Sequence, residues 1–531
     1  MSTKVIDNFT GNMVPQINGD MNSGNSYWLN VFGYDPFTKP GNLTWNEQQV
    51  QIDVAGSVIT DMVVAGKTRV ESGILYVYCI GHTGRLYKIQ VNDPATFNSN
   101  YDNPVLLATL TAGTPTFTRG GFIDFFGATE RIYISHDKGL TRINFDGTSE
   151  TALTGTWTQT VPKPLQQFLG KLYIGNGTNI AEMDSTATVT TSTKLSPGFP
   201  INTQIRDMKL TLDGTYLQMV VTESVLTSII ATTPDVSITA PSNSYIFKWN
   251  GIDTGITSSV FYPNVVLTAM AIGPNAEWFM GYDHFSGVIF KGLDKIETAL
   301  PDVVAGATSP NSVFTINNQI TWAQTIFNPS KEYALIQIYG PLDKNYTDGF
   351  WATHFHEAVS PETDIINMPL FLMVSSLGRS GSASSYASNY YMRPKIYYST
   401  METSTAPTTK YRFYKWSPYP TGLGTPINGA VFQTQNQLFS EKIAIKEVRV
   451  YTDPLVTNNA FTIDLIGTDD TIISNSSKTF TVGSTATAGN DIERYAPDIN
   501  QTYSLGLRIT NAGTVNMKFR KVEIDYDFVK S

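Results

Sequence analysis

A hairpin that recurs along the chain constrains the fold more than any other feature. Its clearest copy, residues 74–89, has two apolar-rich strands joined by a Gly-His-Thr-Gly turn. Its inner part returns at 131–144, at 171–184 and, more loosely, at 277–290, each time as a strand, a short polar turn and a second strand. An isolated hairpin cannot bury both of its faces, so the repetition predicts copies that pack against one another.

The spacing of the copies predicts an all-β fold containing a β-propeller. More diverged copies run through 216–249, 333–355 and 371–416. The first strands pass through Leu75, Ile132, Leu172, Leu217, Trp278 and Leu335, at intervals of 40 to 61 residues. A four-stranded blade takes about 40–50 residues, and longer intervals leave room for loops. We therefore expect residues 56–420 to form a propeller of six or seven blades.

A different all-β pattern follows a stretch rich in Pro and Gly at 416–424. Apolar and charged residues alternate along 521–528, which is the period of a strand with one buried face. Residues 425–531 are predicted to form an antiparallel β-sandwich, with strands near 443–451, 460–466, 479–482, 504–510 and 515–527. We expect the last of these strands to find no partner for one edge within its own region, and so to pair with another subunit.

Residues 1–55 do not repeat the hairpin and allow two interpretations. They form either an arm laid over a larger body and anchored by aromatic side chains, or an irregular segment that closes the propeller ring. Closely spaced exposed aromatic residues favour burial in a contact. The predicted interface residues are Trp28, Phe37, Trp45, Tyr526 and Phe528.

Composition excludes several classes of function. Charged residues are only 15% of the chain, the net charge is −9, and no run of Lys or Arg occurs, which argues against binding nucleic acid through its phosphates. Cys79 is the single cysteine, so we expect a buried thiol and no disulfide. No apolar stretch of membrane-spanning length and no secretory leader is visible, which predicts synthesis in a cytoplasm and no membrane insertion.

Catalytic signatures are incomplete in this sequence. Residues 65–68, Ala-Gly-Lys-Thr, end like a P-loop, but the first Gly of that motif would fall at Asp61, so we interpret them as a turn between strands. His356-Glu357 begins like a zinc-protease motif, but Ser360 stands where the second His is needed. His354 and His356 are only two ligands. We therefore predict a protein that is not an enzyme, with no catalytic residue, no metal ligand and no cofactor.

One hairpin turn resembles a known motif. Residues 135–141, Ser-His-Asp-Lys-Gly-Leu-Thr, resemble the Asp-box S-x-D-x-G-x-T, the turn between the outer strands of blades in sialidase-like propellers, with Arg142 in place of the usual Trp. The resemblance implies turn geometry and no catalytic role. His82, His136 and His284 all occupy such turns, so a pH-sensing rim is an alternative to simple repetition of a turn residue.

The opening of the chain and the ends of its first hairpins resemble propeller-type structural proteins of tailed bacteriophages. The segments that carry the resemblance are NGDMNSG (18–24), YDPFTKPGNLTW (34–45), LYKIQVNDP (86–94) and INFDGT (143–148). In architecture the chain is also similar to the nozzle proteins of short-tailed phages.

The resemblance implies a non-enzymatic virion protein of the phage tail. It would form or decorate a homo-oligomeric ring of the nozzle, tail tip or hub, through which DNA exits, with copies of itself and other tail proteins as partners. The alternative is a receptor-binding protein that binds or degrades host surface glycans through a sialidase-like propeller. An intracellular scaffold is disfavoured, because neither WD nor kelch signatures recur.

Overall fold

The computed structural model of the 531-residue chain describes residues 2–7, 9, 28–32, 42–45, 50–52, 58–91, 104–223, 242–296, 304–305, 309–340, 350–356, 363–374, 395–404, 409–416 and 426–529, apart from short gaps within these ranges. Within them, a 3₁₀ turn at Pro310–Ser312 is the one helical element, and the other regular elements are strands. No helix of the described residues is long and apolar enough to cross a membrane.

The chain divides into two compact units. The smaller comprises Met1–Gln49, Ile336–His356 and Trp416–Ser531, and the larger comprises Val50–Leu335 and Glu357–Lys415. This division departs from the sequence-based boundaries at 55/56 and 420/425 in two places, since Ile336–His356 as well as the N-terminal segment groups with the C-terminal region. Most of the N-terminal segment groups with the C-terminal region, because its strands pair there.

The stretch from Val50 to Trp416 is built from repeated antiparallel sheets. Within it, Ile336–His356 and Trp416 group with the smaller unit, and the rest is the larger unit. From β4 to β32, the strands are β4 (Val50–Ile52), β5 (Val63–Glu71), β6 (Ile74–Gly81), β7 (Arg85–Gln90), β8 (Pro104–Thr109), β9 (Phe122–Phe126), β10 (Arg131–His136), β11 (Gly139–Ile143), β12 (Thr151–Ala152), β13 (Leu165–Phe168), β14 (Lys171–Asn176), β15 (Asn179–Met183), β16 (Val189–Thr190), β17 (Gln204–Leu210), β18 (Leu217–Thr222), β19 (Ser244–Trp249), β20 (Ser258–Tyr262), β21 (Val266–Ile272), β22 (Glu277–Tyr282), β23 (Gly287–Lys291), β24 (Asp294–Ile296), β25 (Val304–Ala305), β26 (Val313–Ile316), β27 (Gln319–Asn328), β28 (Lys331–Gly340), β29 (Phe350–His356), β30 (Thr363–Val374), β31 (Lys395–Ser404) and β32 (Thr409–Trp416).

Seven sheets follow one another along the described part of this stretch. The first five consist of four consecutive strands each, beginning with β5, β9, β13, β17 and β21. The sixth holds β25 to β29, and the seventh runs β30-β31-β32-β4. The clearest repeated hairpins of the sequence are the middle pairs β6–β7, β10–β11, β14–β15 and β22–β23. The predicted propeller is confirmed.

The innermost strands of the seven sheets form a closed ring. Successive contacts join β5, β9, β13, β17, β21, β26 and β30, and β30 returns to β5. The last sheet is completed by a strand from the N-terminal segment, since β4 pairs with β32 at Ile52↔Phe413. Ring closure, one of the two roles considered for residues 1–55, thus belongs to Val50–Ile52.

Apolar cores lie between neighbouring sheets. Tyr78 and Ile80 of the first sheet pack with Phe125 and Ile132 of the second, because alternate residues of each strand point to the same face. Burying one such side chain stabilises the fold by about 1.5–3 kcal/mol. Cys79 points to the other face and is fully buried, as predicted, and burial raises the pKa of its thiol.

The smaller unit is an antiparallel β-sandwich that includes both ends of the chain. Its strands are β1 (Ser2–Ile6), β2 (Trp28–Phe32), β3 (Leu43–Thr44), β33 (Val431–Thr434), β34 (Gln437–Thr452), β35 (Ala460–Ile466), β36 (Lys478–Thr481), β37 (Ile492–Tyr495), β38 (Thr502–Asn511) and β39 (Lys518–Phe528). The strand order is β1-β39-β34-β38-β33-β2, with β35 beside β38. The two layers face each other across the ring contact of Phe461 on β35 and Phe519 on β39, whose centroids are 5.1 Å apart.

Residues 425–531 supply a partner for only one edge of the last strand, as expected, but the prediction that the other edge pairs with another subunit is wrong. One edge of β39 pairs with β34, and the other pairs with β1 and β3. The register aligns Ser2 with Tyr526 and Leu43 with Phe519. The missing partner comes from the opposite end of the chain, where no local pattern points to β39.

Candidate functional site

Polar groups converge at the hairpin turn of the second sheet. We call Arg119, His136, Asp137, Lys138 and Lys163 the Asp137 cluster. The carboxylate of Asp137 is buried and accepts hydrogen bonds from the backbone N–H groups of Thr118 and Arg119, both at 2.9 Å. Because these residues lie in the linker that precedes β9, the carboxylate fastens that linker to the hairpin.

The turn that resembles an Asp-box does not lie between the outer strands of its sheet, where that motif is expected. The turn joins β10 to β11, the second and third strands, and not the outer strands of the sheet. Gly139 has a φ of +153°, and a Cβ there would lie 2.8 Å from Cδ1 of Trp157. The glycine is required by backbone conformation and by the close approach of the indole.

Lys163 reaches the cluster from the linker that precedes β13. Its side chain is buried, and Nζ donates to the backbone carbonyls of Asp137 at 2.6 Å and Val161 at 3.4 Å. Burial lowers the pKa of Lys163 to about 8, and attraction to Asp137 opposes that shift. The ammonium is thus held in the interior by carbonyl oxygens of the turn.

His136 is buried beneath the same turn. Its Nδ1 accepts from the backbone N–H of Lys138 at 3.3 Å, and Nε2 lies 3.1 Å from Oγ1 of Thr141. Burial, together with the nearby charges of Lys163 and Lys138, lowers the pKa of His136 to about 4. His136 is therefore neutral at physiological pH, which counts against a pH-sensing rim; His284 lies outside the described residues.

Cations exceed anions in the Asp137 cluster. Arg119 donates through Nε to the carbonyl of Thr160 at 3.2 Å, and its Nη1 is buried without a hydrogen-bond acceptor. Lys138 is exposed, and its Nζ donates to Oγ1 of Thr114 at 3.0 Å. Together with Lys163 these side chains bring three positive charges to one carboxylate.

The neighbouring sheets carry related polar contacts without this charge excess. In the first sheet, Asp61 accepts from the backbone N–H of Thr83 at 3.1 Å and from the hydroxyl of Tyr87. In the third, Oδ1 of Asn176 accepts from the backbone N–H of Thr158 at 2.8 Å. A polar side chain that secures a linker or turn is thus a repeated device, while the cations distinguish the second sheet.

The 3₁₀ turn Pro310–Ser312 contacts the inner strands β5, β21, β27 and β30. Nδ2 of Asn311 donates to the carbonyl of Val64 at 3.1 Å and to that of Gly121 at 2.7 Å. Val64 lies at an irregularity of the β5–β6 ladder, where the register shifts between Val63 and Ala65. A single amide therefore ties the first and second sheets to the segment between β25 and β26 of the sixth.

The predicted interface residues have different surroundings. Trp45 is fully buried against Phe519, with ring centroids 5.9 Å apart, and Tyr526 is buried against Phe439 at 5.2 Å. Both side chains belong to the core of the sandwich, so Trp45 packs against another part of its own chain, which is one of the two kinds of contact expected for it. Phe528 is 47% exposed.

The other two predicted interface residues are less informative. Trp28 lies in β2 opposite Thr434, and Phe37 lies outside the described residues.

The described residues contain no cluster of metal-ligating side chains. No group of three or more His, Cys, Asp or Glu side chains among them could hold a metal ion. Residues 65–68 lie inside β5 and do not form a turn, and Lys67 forms an ion pair with Asp124 of the second sheet. His354 and His356 lie in β29.

Comparison with known proteins leaves the family open. No protein-family model matches the chain, and no curated protein matches it. Similar solved structures include a chain of the mitotic checkpoint complex (11% identity, 71% of this chain and 96% of that chain, TM-score 0.37). They also include the Dos1 propeller (10%, 78% and 94%, 0.38) and the extracellular domain of a putative hybrid two-component system from B. thetaiotaomicron (10%, 92% and 63%, 0.39).

Proposed function

We propose that the protein is a non-enzymatic structural component of a bacteriophage tail, where copies of it form or decorate a ring together with other tail proteins. The observation that carries the proposal is the pairing of strands that lie far apart in the sequence. β4 completes the last sheet of the propeller, and β1 and β3 cover the edge of β39. Sheets fastened by such long-range ladders suit a permanent assembly.

Buried polar groups support the same proposal, because they connect neighbouring sheets. Asp124 accepts from Nζ of Lys67 in the first sheet at 2.5 Å and from Nε2 of Gln167 in the third at 2.8 Å. Asp207 of the fourth sheet accepts from the backbone N–H of Met270 in the fifth at 2.9 Å, and burial raises the pKa of Asp207. Both carboxylates therefore stabilise contacts between neighbouring sheets of the propeller.

The test is assembly. The purified chain should form closed rings of uniform copy number in negative-stain images at micromolar concentration. Antibody raised against it should label one position on the tails of phage particles that carry the protein. A chain that stays monomeric and is absent from purified particles would refute the proposal.

A second candidate function, recognition of host glycans, is favoured by one observation. The Asp137 cluster places an excess of positive charge near Trp157, whose half-buried indole packs over Gly139. Cations beside an aromatic side chain are a combination that binds acidic sugars. The two functions are compatible, since ring assembly and glycan binding are separate measurements.

A further inference from the structure

We propose that the Asp137 cluster is a binding site for the carboxylate or sulfate group of an acidic oligosaccharide. The site lies where the linkers before β9 and β13 meet the β10–β11 turn. Its cations are Arg119, Lys138 and Lys163, and its other members are Trp157, Gln159 and Thr160. It goes beyond the assembly role and does not depend on it.

The first argument is the unbalanced charge. The one carboxylate of the cluster, that of Asp137, already accepts two backbone N–H bonds and the hydroxyl of Thr118. Lys163 and Arg119 donate to backbone carbonyls, and Lys138 donates to a hydroxyl. Three cations beside a single carboxylate leave an excess of positive charge that a bound anion would neutralise, although the chain as a whole has a net charge of −9.

The second argument is a donor left without an acceptor. Nη1 of Arg119 is buried and makes no hydrogen bond, although the side chain as a whole is only partly buried. An unsatisfied buried donor weakens the folded state, and more so when the group is charged. Because guanidinium binds the oxygens of carboxylate and of tetrahedral oxyanions through paired N–H donors, a carboxylate or sulfate would supply the missing acceptor.

The third argument is backbone strain at the same place. Thr160 has a φ of +56°, an unfavourable conformation for a β-branched residue. It is held there by its N–H, which donates to the carbonyl of Asp137 at 3.2 Å, and by its own carbonyl, which accepts from Arg119. Strain of this kind concentrates at ligand sites, and it keeps the exposed Gln159 and Thr160 beside the cations.

The size of the site favours a sugar over nucleic acid. The three cations around this turn can neutralise only a few phosphates. Proteins that bind nucleic acid through its phosphate backbone make about six to ten such contacts. Trp157 adds an aromatic surface on which one sugar ring can pack. An acidic oligosaccharide matches both the number of charges and the aromatic neighbour.

The experiment is calorimetric titration of the full-length chain at low ionic strength. The probes are 3′-sialyllactose, a heparin-derived disaccharide, neutral lactose, sodium sulfate and a short single-stranded oligonucleotide. We expect one or both acidic sugars to bind, with an affinity that falls as salt is added, and lactose not to bind. The carboxylate and sulfate sugars show which oxyanion the site prefers.

Two substitutions and a control locate the site. Arg119→Gln and Lys138→Gln should each weaken binding about tenfold or more, since a charged hydrogen bond contributes about 1.5 kcal/mol or more. Arg131→Gln removes the same charge at the far end of β10, about 16 Å away along a six-residue strand, and should change affinity less than about twofold. Lys138 is exposed, so its variant should fold, and thermal melting verifies this.

Three results would overturn the proposal. They are equal binding of lactose and the acidic sugars, affinity unchanged by both cluster substitutions, and binding of sulfate or the oligonucleotide that matches or exceeds that of the sugars. Ring formation is measured separately, so failure here leaves the assembly proposal standing.

Discussion

At the scale of single residues, burial of basic groups links the stability of the protein to pH. His136 and Lys163 of the propeller and Lys4 of the sandwich are all buried, with few charged partners. Burial disfavours the protonated form of each and lowers its pKa. Each should therefore weaken the folded state at pH values below its pKa in the unfolded chain, and this effect is complete below its pKa in the folded chain.

His136 predicts a loss of stability in mild acid. Its pKa falls from 6.5 to about 4 on folding, so between these values the unfolded state binds more protons and stability drops as pH falls. The contribution is at most about 3 kcal/mol. His136→Asn, which places at this turn the residue found at Asn176 of the next hairpin, should flatten the change in melting temperature between pH 7 and pH 4.5. Equal slopes for variant and wild type would contradict the assignment.

Burial of Lys4 predicts a change in stability at alkaline pH. Its Nζ donates to the carbonyl of Leu505 at 2.8 Å, and burial lowers its pKa from 10.5 to about 8, so stability should rise as pH increases from 8 to 10.5. Lys4→Met should raise the melting temperature at pH 7 by a few degrees, and this gain should shrink at pH 10. Lys446→Met, at a side chain that is 51% exposed, is the control and should change little.

At the scale of elements, the 3₁₀ turn at the inner strands is a fastening between sheets distant in sequence. Asn311 lies between β25 and β26 of the sixth sheet, and its side-chain amide donates to carbonyls of the first two sheets. The carbonyl of Val64 comes from an irregular point of β5, so the asparagine supplies a donor where the ladder is interrupted. This contact therefore requires a side-chain amide donor at residue 311.

Substitution of Asn311 tests this fastening. Asn311→Ala removes two hydrogen bonds and should lower the free energy of unfolding by about 1–3 kcal/mol. Asn311→Asp keeps the shape but directs a carboxylate at two carbonyl oxygens, so it should destabilise at least as much. Denaturant unfolding at constant pH measures both, and an Asp variant as stable as wild type would exclude the contact.

At the scale of the whole molecule, the propeller unit is inserted between segments of the sandwich unit. A truncation placed at the linker 416–424 therefore separates strands that pair with each other in the sandwich unit. A chain cut only at that linker keeps β1 and β3 but loses β39, which pairs with both. The buried side chains of Phe9, Leu43 and Trp45 would then lose their cores.

Two truncated chains should show whether the propeller unit ends at the boundaries seen in the structure or at the linker near residue 420. Residues 50–415 retain β4 and the seven sheets, and should melt in one cooperative transition. Residues 1–420 should self-associate and bind a hydrophobic dye, because their N-terminal apolar residues have no partner. Size-exclusion chromatography and dye fluorescence make the comparison. Monomeric, dye-free behaviour of the longer chain would show that residues 1–49 do not need the C-terminal strands.

Local patterns in the sequence are enough to predict the repeated hairpins of this protein. The strand pairing of its terminal segments and the contacts of its linkers are seen only in the tertiary structure. The hairpin at 131–144 was visible because its alternation and its turn lie within a few residues of each other, and sheets built from neighbouring strands follow from that local pattern.

The pairing of Ser2 with Tyr526, the closure by Val50–Ile52 and the contacts of Asn311 were not visible. Asp137 stood out as a turn residue, but Arg119 and Lys163 did not, because they lie in linkers without periodicity. A strand edge or a buried charge accepts whichever group folding brings near it, and that choice depends on distances in space that no local pattern encodes.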